Sequence, residues 1–323
     1  MKIAYLITVH DNPKQLSLLI SKIKSDFSDI FIHVDKKCNI DDFKNDLVLN
    51  ELYDSNVIFI RDRISVEWMG FSQVQSTLNL INYSMTHDDY KYFVFLSGSD
   101  YPLKSNKDIY DLFLNSNKEY LSFWKIEDRP SWKHKIEYYY PIDKIGIRNW
   151  KSNYKKNVFS FIYWGGFFSF RKFAKKRKYF PDIIPYGGSG WWMLTKDCCK
   201  YILDYVSSNK SFVSYYKYTH APDEMFFQTI IMNSEYNKNV NMFNDYLSWS
   251  SVTSIEDKLK ENTMLSEQAF NLRYVDWSGR KGQFPVVLDT DDYKKMINSN
   301  CIFARKFSLE ESGGLIKLLN EIR

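Results

Sequence analysis

Glycine and proline are scarce in this chain: 12 Gly and 8 Pro among 323 residues. That excludes collagen-like and low-complexity architectures. Cysteine is scarcer still. Cys198 and Cys199 are adjacent, Cys38 and Cys301 stand far apart, and no C-x-x-C pair exists. Neither a disulfide framework nor a zinc site is indicated, and the four read as buried, reduced thiols. The apolar runs are short and broken by charge, so none approaches the ~20 residues that span a bilayer. The opening stretch from Met1 to His10 has too short an apolar part, and no small-residue cleavage pattern, to be a leader. The expectation is a cytoplasmic protein. Several fingerprints are missing as well: G-x-G-x-x-G, the G-x-x-x-x-G-K-[ST] phosphate loop, the G-x-S-x-G elbow and the H-E-x-x-H metal helix.

Aromatic residues, by contrast, are abundant at 18%, which with the apolar content excludes a disordered chain. The net charge is only +5. Its placement is uneven, with cations clumped at Lys151 to Lys156, Arg171-Lys172 and Lys175 to Lys178 among aromatic residues. This stretch from Trp150 to Lys178 suits an anionic lipid surface or a polyanion, or forms a solvated basic face over an aromatic core.

The first half alternates strands with helices. Ile3–Val9, Ile30–Asp35, Val57–Ile60 and Tyr92–Leu96 have strand length and composition. Asn12 and Pro13 read as a cap and first helical residue, ahead of Leu16, Leu19, Ile20 and Ile23 at helical spacing. Ser72 to Met85 is a second helix. Such alternation predicts βαβ units and a mostly parallel sheet. Ligands of open α/β sheets bind beyond the carboxyl ends of the strands. There the chain places His10, Asp35 and Ser97 to Asp100, all polar residues after apolar runs. The second half predicts helices over Lys196–Val206, Asp223–Met232 and Asp289–Asn298, and a polar, linker-like stretch over Ser250–Gln268.

Two local patterns carry chemistry. In Pro222-Asp223-Glu224-Met225-Phe226-Phe227, Asp223 reads as a helix cap, whereas Glu224 is drawn toward an aromatic, partly dry environment that suits a general base. In Phe303-Ala304-Arg305-Lys306-Phe307, adjacent cations between aromatics suit a diphosphate, or form a surface strand with snorkelling stems. Asp289-Thr290-Asp291 matches a metal-binding D-x-D but sits ahead of a helix, and reads as a cap.

These pieces, in this order, resemble glycosyltransferase family 14, the core-2/I-branching N-acetylglucosaminyltransferase and protein xylosyltransferase family. The carriers include Ala4 to His10, Ile32 to Lys36, Val66 to Val74, Leu96 to Lys104, Gly188 to Thr195, Pro222 to Thr229, Leu272 to Trp277 and Phe303 to Phe307. The resemblance implies a GT-A type α/β fold, a Rossmann-like sheet flanked by helices with an aromatic-rich second half, in one domain over 1–323. Residues 1–125 would bind the nucleotide, 126–250 the acceptor, and 251–323 would close on the donor diphosphate. It implies inverting transfer from a UDP-sugar to a glycan hydroxyl, with Glu224 as base. Val9, His10, Asp35, Trp68, Asp100, Arg280, Arg305 and Lys306 would face the donor, Arg280 being chosen from the segment Arg273 to Lys281. Trp191, Trp192, Asp223 and Trp277 would face the acceptor. No cofactor and no metal are expected, because Arg and Lys stand in for the cation and only one carboxylate follows the fourth strand. Animal members are anchored and disulfide-rich. Few cysteines suit a bacterial enzyme at the inner face of the cell membrane, with a glycan or lipid-linked glycan acceptor and no nucleic-acid partner. The rival readings are a non-catalytic glycan- or nucleotide-binding module on the same fold and, from the basic residues among aromatics, a nucleic-acid-binding protein.

Overall fold

A computed structural model describes residues 1–146, 158–170, 173–245 and 267–321. The first half runs β1 (Lys2–Val9), α1 (Pro13–Ile23), β2 (Ser28–Val34), α2 (Ile40–Leu49), β3 (Val57–Phe59), α3 (Phe71–Met85), β4 (Tyr90–Ser97), β5 (Tyr101–Pro102) and α4 (Asn106–Leu114). Next come β6 (Tyr120–Leu121), β7 (Trp124–Lys125), α5 (Lys133–Glu137), α6 (Ile142–Ile145), α7 (Val158–Phe170), β8 (Tyr186–Gly187) and β9 (Trp192–Thr195). Helices α8 (Lys196–Ser208), α9 (Lys210–Tyr216), α10 (Phe226–Met232) and α11 (Glu267–Asn271) follow. The C-terminal part holds β10 (Arg273–Val275), α12 (Tyr293–Ile297), β11 (Phe303–Arg305) and α13 (Gly313–Glu321).

The main sheet has the order β3-β2-β1-β4-β9-β6. Strands β3, β2, β1 and β4 are mutually parallel, and β9 returns antiparallel between β4 and β6. The predicted mostly parallel sheet flanked by helices is what the structure contains. Alternation along β1 divides its side chains between two cores. Ile3, Tyr5, Ile7 and Val9 pack with α1, α2 and α4, while Ala4 and Leu6 pack with α3, α8 and α10. A strand buried on both faces reads as an apolar run, as Ile3–Ile7 of β1 and Ile30–Ile32 of β2 do in the sequence. A second sheet, β10-β11-β5, ties the C-terminal part to the turn after β4.

Chain order reverses between β1 and β4, since β1 leads outward to β2 on one side and meets β4 on the other. Such a switch point opens a crevice beyond the strand ends. Gly98 lies there because a Cβ would approach Val9 Cγ1 to 2.9 Å.

Two expectations need correction, and two stretches lie partly outside the described residues. Asn12 precedes α1 but makes no side-chain cap, because its backbone is left-handed (φ 54°). The helix expected from Asp223 begins only at Phe226; Pro222–Glu224 form a separate 3-10 turn and Met225 breaks the helical geometry (φ −142°). Asp223 therefore caps nothing. The basic stretch is only partly described, with residues 147–157 and 171–172 outside the described residues, as is most of the linker-like stretch (246–266). The D-x-D match is a cap as expected: Asp289 and Asp292 form a reciprocal capping box at the turn Thr290–Asp292.

Candidate active site

Parallel register brings the ends of three strands level, with Val9 beside Val34 and Thr8 beside Ser97. Asp35 N donates to Val9 O at 2.8 Å and Gly98 N to Thr8 O at 3.3 Å. Buried Asp35 accepts from the backbone of Lys37 and Val66. Arg63 secures this corner by donating to the carbonyls of Val34, Asp35 and Cys38. His33 is structural. Burial drives its pKa down to about 4, so the neutral ring accepts from Ile64 N. His10 is exposed, and Trp68 is 53% exposed on the loop before α3.

The turn after β4 is a charged core. Asp100 is 0% exposed. One carboxylate oxygen accepts from Arg273 Nη1 at 2.8 Å, and the other from the backbone and hydroxyl of Ser97. Arg305 Nη1 stands 3.7 Å from Asp100 and donates to Ser97 Oγ. Arg305 also packs 4.3 Å from the Trp191 ring centroid, and Arg273 lies 5.2 Å from it. Burial lowers the pKa of Arg273 to about 10, with Asp100 opposing that drop. Lys306 remains exposed at the end of β11, while Phe307 N donates to Ser99 O and pins the strand end to the turn.

A second acidic centre is built by the 3-10 turn. Glu224 Oε2 accepts from Lys135 Nζ at 2.5 Å. The lysine is itself held over the Trp132 ring at 3.4 Å. Asp223 Oδ2 touches Gln73 Nε2 at 3.5 Å, and Oδ1 has no hydrogen-bond partner among the described residues. Burial first, then the neighbouring Glu224, pushes the Asp223 carboxyl up to about 7, with Lys135 opposing. The turn is anchored on three sides. Gly188 N donates to Glu224 O, Ala221 N donates to Met69 O, and Gln73 Oε1 accepts from Met69 N. Met69 and Ala221 both carry positive φ (65° and 47°), an uncommon strain that sharp reversals at functional sites tolerate. Gly188 is required because a Cβ would meet Ser122 O at 1.9 Å.

Gly190 and Trp191, consecutive residues, link the two centres. A Cβ on Gly190 would lie 3.1 Å from Asp223 Oδ2, and the Trp191 ring faces Arg305. The arrangement can hold an anion at Arg305–Lys306 and offer a carboxylate at Glu224.

Not every candidate lies here as expected. Trp192 is fully buried against Phe95 and Phe227, as the first residue of a strand buried on both faces, and is a core residue with no face for an acceptor. Asp100 is enclosed by arginines, so it orients cations and has no open face toward a donor. Arg280 is spent on Asp276, Asp289 and Asp292. Arg273, from the same segment, is the arginine that joins Arg305. A lone cation in the apolar run Phe270 to Val275 was the available signal, because a buried cation must find a carboxylate. Trp277 is 56% exposed. Lys135 and Gln73 carried no distinctive sequence signal. Among the described residues no group of three or more His, Cys, Asp or Glu side chains is arranged to hold a metal ion.

The sequence profile of the Core-2/I-Branching enzymes matches residues 3–297. The chain belongs to that family. A beta-glucuronosyltransferase, GlcAT14A of Arabidopsis thaliana, is 24% identical over 259 residues, covering 79% of this chain and 48% of that protein. Xylosyltransferase 2 of Mus musculus is 22% identical over 332 residues, covering 99% of this chain and 33% of that protein. Xylosyltransferase 1 of Homo sapiens is 26% identical over 241 residues, covering 72% of this chain and 22% of that protein. The family member thus spans half or less of the length of these curated relatives. Among solved structures, the PaToxG glycosyltransferase is similar over 83% of this chain and 86% of its own, with a TM-score of 0.31 and 12% identity.

Proposed function

We propose that this Core-2/I-Branching family member is a metal-independent, inverting glycosyltransferase with a GT-A-like fold. It moves a sugar from a UDP-sugar to a hydroxyl of a glycan acceptor. The observation that carries the reading is the pairing of a partly exposed Glu224 with the Arg305–Lys306 cations, through Gly190 and Trp191. A sugar hydroxyl is a weak nucleophile, so a carboxylate must take its proton as the oxygen attacks the anomeric carbon. The glycosidic bond to UDP breaks on the opposite face, and the electron pair leaves with the diphosphate. Preplaced cations stabilise that growing charge. Arg305 and exposed Lys306 fit this task, with Arg273 and Asp100 behind them fixing the guanidinium. Asp35 and the Val9–His10 turn would receive the uridine side, and Trp68 and Trp277 offer exposed aromatic faces for sugar rings. The relatives' names add glucuronic acid to xylose and N-acetylglucosamine as donor sugars.

The test is Glu224→Gln. Donor hydrolysis and transfer should fall about 10³-fold, within the usual range for a lost general base, while UDP still raises the thermal midpoint. Near wild-type turnover would remove Glu224 from the mechanism. EDTA should leave activity unchanged; inhibition reversed by Mn²⁺ would sink the metal-free reading. One observation favours a second reading, a nucleotide- or glycan-binding module: Lys135 already occupies a Glu224 oxygen at 2.5 Å. A UDP-induced thermal shift with no turnover on any UDP-sugar would favour it.

A further inference from the structure

Residues 133 to 178 hold 13 Lys and Arg against two Asp and Glu, in a chain with 44 against 39. The rest of the protein is therefore net acidic, and the chain's net positive charge comes from this one segment. That segment contains α7, whose 13 residues, Val158–Phe170, include none with a charge. One side of α7 is packed. Trp164 is 0% exposed, donates its indole N–H to Gly146 O at 2.9 Å, and lies among Tyr138, Tyr140 and Ile142. The other side, at Ile162, Gly166 and Ser169, faces outward, with Ile162 65% exposed. Just beyond the helix, Phe173 is 78% exposed and is followed by exposed Lys175, Lys176 and Lys178. Tyr139 is 60% exposed close by, with Arg177 packed 4.7 Å from its ring centroid.

We propose that the outer face of α7, with Phe173 and the lysines after it, docks on an anionic bilayer surface. Exposed apolar side chains beside clustered cations match the two layers of such a surface: acyl chains below, charged headgroups above. A helix of 13 residues reaches about 20 Å, short of the ~30 Å hydrocarbon core, so it lies on the membrane and does not cross it. No helix among the described residues is long and apolar enough to cross. The surface also adjoins the proposed site. Met69 packs into the α7 cluster, and its carbonyl accepts from Ala221 N, three residues before Glu224. Seated this way, and granted the transferase reading, the enzyme would meet an acceptor carried on a lipid anchor.

Vesicle flotation of the full chain tests the proposal without any activity readout. One set of vesicles is phosphatidylcholine alone and the other contains about a third phosphatidylglycerol. Recovery with anionic vesicles should exceed that with neutral ones at least tenfold and should drop as salt rises. Phe173→Asp and the pair Lys175→Glu/Lys178→Glu should each cost about tenfold in recovery, with the thermal midpoint and the UDP response unchanged. These side chains are exposed, so the folded state survives the changes; Ile162→Asp is the stronger probe where it folds. Equal recovery on both vesicle types, or variants that float like the wild type, would overturn the proposal. So would light scattering that shows a dimer abolished by Phe173→Asp with no flotation at all, which assigns the face to a second copy. Loss of turnover alone would bear on the transferase reading and leave flotation intact.

Discussion

Two acidic centres sit on either side of Gly190–Trp191, and they are balanced in opposite ways. Asp100 is completely buried and shared by two arginines and a serine. Asp223 and Glu224 are two adjacent carboxylates with one lysine between them. The first centre has each oxygen satisfied and a cation to spare for a ligand. The second has one carboxylate held by Lys135 and the other raised to about 7, with an oxygen lacking a partner among the described residues. Fully paired charge makes a rigid scaffold, whereas underpaired charge leaves a group ready to exchange protons. Under the proposed transferase function, the Asp100 centre would hold the leaving group in place and the Asp223–Glu224 centre would take the proton.

Breaking each centre should give opposite signatures. Arg273→Met leaves Asp100 buried with one cation fewer, and removing a buried partner costs about 3–5 kcal/mol. Chemical denaturation should show that loss, with UDP binding weakened too. A variant as stable as the wild type would mean that Arg305 alone suffices. Glu224→Gln should do the reverse, a stability loss of at most about 1 kcal/mol, the usual worth of a partly exposed ion pair, beside the ~10³-fold fall in turnover. Lys135→Met sharpens the contrast. Turnover should drop about tenfold, less than for Glu224→Gln, because the lysine only positions the base. Rescue by Lys135→Arg would separate the charge from the packing over Trp132. An effect equal to that of Glu224→Gln would make Lys135 part of the proton path.

The two centres also differ in how far they could be read from sequence. The parallel edge carrying Asp35 and Ser97 to Asp100 was legible because strands buried on both faces leave unbroken apolar runs, and polar residues end them. Glu224 is legible because an acid lies just ahead of the apolar run Met225-Phe226-Phe227. What escaped were contacts across long separations. Arg273 meets Asp100 173 positions away, and Lys135 meets Glu224 89 positions away. No local period encodes such pairings. Arg280 shows the same limit: an arginine in a polar loop looks unpaired in sequence, yet it meets Asp276, Asp289 and Asp292. A Trp pair suggests a sugar platform, but Trp192 opens a strand buried on both faces, and its ring lies in the core.

The smallest effect is the most diagnostic of the underpaired centre. Asp223 titrates near 3.8 when unfolded and at about 7 when folded, because burial and Glu224 oppose its charge. Between those values the folded chain holds a proton that the unfolded chain has lost, so stability falls as pH rises. The contribution is complete below about pH 4 and lost as pH passes about 7. Asp223→Asn is neutral throughout and keeps a group for Gln73 to meet. Its stability relative to the wild type should therefore climb from pH 4 to 8. The full shift would overstate the gain, since Lys135 and solvent share the charge, and on the order of 1 kcal/mol is the expected size. Urea unfolding of both proteins at several pH values measures it. A difference that stays flat with pH would show that Asp223 is ionised in the folded protein, and that Lys135 balances both carboxylates as completely as the arginines balance Asp100.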